Sequence, residues 1–328
     1  MNTPAPLALT MGDPAGVGPE ITAKAWSAKT GLAPFFLIAD ASAVRAVAGA
    51  VPVRVISDPA EANGVFSDAL PVVHRPLPDA VTPGQPTSAN APATIAAIDE
   101  AVKLTRSGTA SAVVTNPINK KVLYDGAGFA FPGHTEYLAH LGGVSRTVMM
   151  LAAPGLRVVP VTIHIALAEV PKQLTAALIE DTIRITHKDL QDAFGIEAPR
   201  LAVAGLNPHA GEGGAMGNEE TDIIGPLLNR LKAEGMDISG PMPADTMFHP
   251  AARARYDVAV CMYHDQALVP IKTLDFARGV NVTLGLPFVR TSPDHGTAYD
   301  IAGTGRADPT SLIEAIRLAS DLASTRAG

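Results

Sequence analysis

The chain has 328 residues, 47% of them hydrophobic and 17% charged, which excludes a disordered protein and allows one large core or two intimate ones. A formal net charge of −7 argues against a general nucleic-acid binder, although local cations could still recognise a small anion. No apolar run reaches the length of a membrane span, Met1-Asn-Thr-Pro-Ala-Pro6 lacks the basic and apolar regions of a secretory signal, and the lone Cys261 fits a reducing compartment, so a cytoplasmic protein is expected.

Strand-like and helix-like segments alternate from the start, which predicts βαβ units and a mostly parallel α/β fold. Leu7–Thr10 reads as a strand, Gly12–Gly18 as a loop, and Pro19–Trp26 as a helix with proline in its first turn. Phe35–Ile38 and Val53–Ile56 are further strands, and residues 58–90, rich in Pro, Ala, Ser and Asn, read as connections. A helix at Ala91–Thr105 precedes the strand Ser111–Thr115. Long helices are expected at Leu174–Phe194, Glu220–Glu234 and Ser311–Ala323.

Three short apolar, β-branched runs each end near a histidine. Arg157–Ile163 leads into His164, Leu201–Leu206 into Asn207-Pro208-His209, and Asp257–Tyr263 into His264. Ligands of α/β sheets bind beyond the carboxyl ends of the strands, and three neutral imidazoles at one sheet edge would make a metal site with an open position. Taken singly, each histidine reads more readily as a satisfied polar residue near the core, and it is the repeated placement that raises the metal reading. The remaining histidines His74, His140, His187 and His249 have no comparable setting.

Two glycine-rich loops, Gly12–Gly18 and Gly211–Gly217, both miss the G-x-G-x-x-G spacing, and no P-loop motif is present. Both precede helices, whose amino ends attract anions, but both read equally as tight turns.

Several blocks resemble the 4-hydroxythreonine-4-phosphate dehydrogenase family: Gly12-Asp-Pro-Ala-Gly-Val-Gly-Pro-Glu20, Pro132-Gly-His-Thr-Glu136, Gly205-Leu-Asn-Pro-His-Ala-Gly-Glu-Gly213, Pro243-Ala-Asp-Thr246, Met262-Tyr-His-Asp-Gln266, and the stretch from Gly279 to Ser292. The segment Asp294–Pro309 is similar to the adenine-side cofactor loop of isopropylmalate and isocitrate dehydrogenases. The resemblance implies their two-domain α/β/α fold, with residues 1–127 and 290–328 on the cofactor side and 128–289 carrying the metal and the dimer contacts. It places the active site in the interdomain cleft at the dimer interface.

The same resemblance implies a homodimer that oxidises 4-phosphooxy-L-threonine with NAD or NADP in pyridoxine 5'-phosphate (vitamin B6) biosynthesis. The 3-keto acid formed then loses CO2 to give 3-amino-2-oxopropyl phosphate. His164, His209 and His264 fall on the family's metal ligands, one divalent ion (Zn2+, Mg2+ or Co2+) per subunit, with His264 supplied to the partner's site. His134, Thr135, Lys272, Asn281 and Arg290 fall on its substrate-binding positions. Asp245 and Lys120 are candidates for the base. Asp294, His295, Gly296, Thr297 and Ala298 are candidates for cofactor contact.

Asp265 either orients the imidazole of His264 or, because adjacent strand residues face opposite ways, serves as a structural ion-pair partner. Within the family the alternative is a catabolic relative acting on a phosphorylated threonate-type acid or a carboxylated dihydrodiol. An acyl-phosphate acyltransferase would need no histidine triad, and a non-catalytic anion binder of two-lobed type would normally be exported.

Overall fold

The computed structural model describes residues 4–327, so Met1–Thr3, on which part of the leader reading rests, lie outside the described residues. Twelve strands form among these residues: β1 (Leu7–Thr10), β2 (Phe35–Ala39), β3 (Val53–Ile56), β4 (Leu70–His74), β5 (Val113–Thr115), β6 (Val148–Ala153), β7 (Leu156–Thr162), β8 (Leu201–Ala204), β9 (Ile238–Met242), β10 (Val258–Tyr263), β11 (Val280–Leu284) and β12 (Arg290–Pro293). The chain divides into two compact units, residues up to Arg146 with those from Leu286 onward, and Thr147–Gly285.

The first unit is a wholly parallel sheet in the order β3-β4-β2-β1-β5-β12. β1 and β2 are buried along their whole length, as expected of central strands covered on both faces. The chain leaves β1 for β2 on one side and later returns to place β5 on the other. Such a reversal opens a crevice beyond the carboxyl ends of the two strands.

β4 lies inside the stretch 58–90 expected to be connections. The Pro, Ala, Ser and Asn content of that stretch argued for connections, yet Leu70 and Val72 are fully buried between β2 and β3. Residues 128–146, grouped with the middle segment in the sequence-based division, cluster with the first unit. The helix His134–Gly142 packs on the helix Ala91–Arg106: the Tyr137 hydroxyl donates to Asp99, and Arg106 donates to the Leu141 carbonyl at 2.8 Å.

The second unit is mixed. β11, β6 and β7 pair antiparallel, whereas β7, β10, β8 and β9 run parallel, so β7, β10 and β8 end at one edge. The long helix expected at Leu174–Phe194 is Ala176–Asp192, started by the Thr175 side chain accepting from Leu178 N at 3.2 Å. Glu220–Glu234 divides into a π-helical turn at Glu220–Ile224 and an α-helix at Gly225–Ala233. No helix among the described residues is long and apolar enough to cross a membrane.

Candidate active site

Three loops meet beyond the carboxyl ends of β1, β5 and β12. Asp13 N donates to Pro117 O at 2.8 Å, and Val17 N donates to Thr297 O at 3.0 Å. The Tyr299 hydroxyl donates to Asp13 Oδ2 at 2.7 Å. Burial raises the Asp13 carboxyl above the usual range, although the bonds from Tyr299 and Ala15 N oppose this.

Met11–Gly18 is buried throughout. Gly12 has φ +70°, and a Cβ there would lie 2.4 Å from Pro117 O. These glycines therefore serve close backbone approach, and the loop is a platform on which the Asp294–Ala298 segment rests. In that segment Asp294 N donates to Ser311 Oγ at 3.0 Å, His295 Nδ1 lies 3.0 Å from Gly296 O, and Ala298 has left-handed backbone at φ 44°.

A cluster of desolvated basic side chains stands in the same unit. Arg290, only 4% exposed, donates to Thr115 Oγ1 at 2.6 Å, and burial pulls its guanidinium pKa down to about 10. His134 begins its helix without a side-chain cap, and its Nε2 is buried with no hydrogen-bond partner. Although the residue keeps some exposed surface, its ring is desolvated. That burial, reinforced by the positive charge of Arg290, holds the imidazole well below its ordinary pKa. Thr135 follows in the first turn, and a Cβ at Gly133 would lie 3.0 Å from Glu136 Oε2 and 3.2 Å from Lys120 Nζ. A neutral imidazole lies near a buried guanidinium, and a lysine and a carboxylate stand at the amino end of its helix.

The second unit carries the remaining candidates. His164 follows β7 and has left-handed backbone at φ 54°. His264 opens the helix His264–Leu274 at the end of β10, and the two rings stand 5.7 Å apart, centroid to centroid. They border a pocket of about 250 Å³ lined also by Thr162, Leu167, Tyr263 and Asp265.

Asp265 lies on the helix rather than the strand, so the opposite-face argument for a structural role does not apply. Its Oδ1 is 2.8 Å from His264 Nδ1, which leaves Nε2 unengaged by that carboxylate. Gln266 accepts from Met262 N at 2.7 Å and donates to Gly205 O at 2.8 Å, tying the ends of β10 and β8 together.

His209 lies exposed on the turn after β8, and no three His, Cys, Asp or Glu side chains converge among the described residues of one chain. Asp245 is exposed on the turn after β9. Lys272 stands 5.5 Å from the Phe276 ring centre, and Asn281 on β11 has a buried Oδ1 without a hydrogen-bond partner. Thr115, Tyr299 and Glu220 carry structural parts of these sites that sequence reasoning did not single out. Their signals are a strand end, a loop position and a helix start, which many residues share.

The architecture is that of a two-unit α/β enzyme, and its relatives make it an oxidoreductase of the dehydrogenase class. The family described as "Pyridoxal phosphate biosynthetic protein PdxA" matches residues 32–319, and the chain belongs to that family. A relative from Ruegeria sp. (strain TM1040), named 4-hydroxythreonine-4-phosphate dehydrogenase, is 56% identical, with 98% of each chain covered. The solved structure of a Klebsiella pneumoniae protein of the same name has a TM-score of 0.88 at 39% identity, covering 98% of each chain. A terephthalate 1,2-cis-dihydrodiol dehydrogenase from Burkholderia xenovorans LB400 has a TM-score of 0.66 at 32% identity, covering 97% of this chain and 98% of that one.

Proposed function

We propose that the chain oxidises 4-phosphooxy-L-threonine at its C3 hydroxyl, with NAD or NADP, to 2-amino-3-oxo-4-phosphooxybutanoate in pyridoxine 5'-phosphate biosynthesis. That product loses CO2 to give 3-amino-2-oxopropyl phosphate. The observation that carries the reading is the desolvated His134–Arg290 pair at a helix amino end, suited to a phosphate on a small substrate.

In this reading Arg290 supplies the fixed charge. Neutral His134 and the Thr135 hydroxyl supply hydrogen bonds, and Lys272 and Asn281 hold the remaining polar groups. Lys120 or Asp245 takes the proton of the C3 hydroxyl, and NAD or NADP, when bound, would supply the acceptor for the C3 hydride. Asp294–Ala298, braced on the Gly12–Gly18 platform, form the cofactor loop.

The imidazoles of His164, His264 and His209 suit a divalent cation (Zn2+, Mg2+ or Co2+). When bound, it supplies Lewis acidity beside the reacting oxygen. Among the described residues of one chain no third donor joins His164 and His264, whose rings stand 5.7 Å apart, and Asp265 fixes the His264 ring. The reading is therefore a homodimer whose metal site is shared, with His264 supplied to the partner's site. A cytoplasmic setting belongs to the same proposal, supported by the buried free thiol of Cys261.

Absorbance of the reduced cofactor, with 4-phosphooxy-L-threonine and NAD or NADP, tests the reaction. Turnover should vanish with a chelator and return with added metal, and no turnover by metal-loaded protein would overturn the assignment. A carboxylated dihydrodiol, suggested by the Burkholderia relative, is the competing substrate to run beside it.

Subunit mixing tests the sharing. His264→Ala and His164→Ala chains, inactive alone, should recover about a quarter of full activity when dimers re-form at random, because one site of each mixed dimer is intact. If His209 were the crossing ligand, recovery would instead come from mixing His209→Ala with His164→Ala.

A further inference from the structure

His209 lies in a stretch of backbone that few residues adopt. His209, Ala210, Gly211, Glu212 and Gly213 all have positive φ, at 53°, 52°, 80°, 45° and 63°. Non-glycine residues enter this region only when surrounding structure holds them there.

The hold is visible in Glu220, a carboxylate only 3% exposed. Its Oε1 accepts from Asn207 N at 2.7 Å and its Oε2 from Asn207 Nδ2 at 3.0 Å. Glu219 Oε2 takes the same Nδ2 at 2.7 Å. Both Glu220 oxygens also press on the turn. A Cβ at Gly205 would lie 2.9 Å from Oε1, and one at Gly211 would lie 2.6 Å from Oε2. A Cβ at Gly217 would meet Asn207 Nδ2 at 2.4 Å. The second glycine loop is therefore shaped around this carboxylate–amide clamp. Glu220 begins the π-helical turn Glu220–Ile224, a local irregularity that sets it apart from the regular helix that follows.

We infer that Glu220, acting through Asn207, is a positioning residue that holds the left-handed turn and so presents His209 to a divalent cation. The inference rests on the reading of His209 as a metal ligand. Outer partners that orient a ligand generally change metal affinity by roughly 10–100-fold when removed.

The experiment is Zn2+ titration against a chromophoric chelator, using the full-length wild type, Glu220→Gln, Asn207→Ser and His209→Ala, with thermal unfolding of each metal-free protein alongside. Glu220→Gln and Asn207→Ser should bind Zn2+ roughly 10–100-fold more weakly, and excess metal should restore their kcat. Asn207→Ser removes only the Nδ2 contacts and keeps the backbone N–H bond, so it decides the matter if Glu220→Gln does not fold. Wild-type affinity in either folded variant, beside a loss in His209→Ala, would overturn the clamp and leave the metal reading standing. Wild-type affinity in His209→Ala itself would overturn both.

Discussion

Arg290 and His134 in the first unit are desolvated and set in place by secondary structure: one starts a strand and the other a helix. His164 and His264 in the second unit stand on an open pocket, and His164 and His209 stand on left-handed backbone. The Arg290–His134 cluster is complete within one chain and shielded from water. The imidazole pair leaves room for a further donor. Charge recognition gains from burial, whereas a labile metal site needs access and exchangeable positions.

Substitutions can break this contrast. The largest expected effect is in the second unit: His164→Ala should reduce metal-dependent turnover to background while thermal stability stays within about 0.5 kcal/mol, since the side chain is exposed. A large drop in melting temperature would mean that the imidazole is structural. Next, Arg290→Met should cost about 2–5 kcal/mol in kcat/KM, mostly through KM. Folding stability should hold or rise, because an apolar side chain of similar volume replaces a buried charge. Unchanged KM would remove Arg290 from substrate binding.

Gly12→Ala should destabilise the first unit by about 1–3 kcal/mol, because it joins a positive φ to the contact with Pro117 O. Denaturant unfolding would show the loss.

The smallest effect is pH-dependent. His134 is held neutral in the fold, below its unfolded pKa of about 6.5. Its contribution is fully present above that pH. It is lost as pH falls below that value, because the unfolded chain then takes up a proton that the folded one refuses. The slope from this one group is at most about 1.4 kcal/mol per pH unit, and His134→Asn should flatten the stability profile by that much. Identical profiles would mean that the ring is not desolvated.

The sequence made the parallel α/β class and the strand-end histidines legible, since apolar runs and their terminal residues are local signals. The β4 strand was hidden in a stretch rich in Pro, Ala, Ser and Asn, and the π-helical turn by an otherwise regular helical pattern. The two glycine loops were visible as motifs but not in purpose. Their glycines answer to Pro117, Thr297 and Glu220, contacts between segments distant in sequence that no local pattern records. His134 and Arg290 stood out only through family resemblance, because their meeting depends on a strand from the end of the chain joining β5.

That late strand has a consequence for synthesis. The second unit opens and closes on paired neighbours, Val148 opposite Leu284, so everything it needs has been made once β11 has emerged. The first unit begins earlier yet stays incomplete, since β12 and the helix Thr310–Ala327 come last. A growing chain generally folds its units as they emerge. Here the middle of the protein can mature while the beginning waits for the end, and Arg290 enters its place beside Thr115 only as translation finishes.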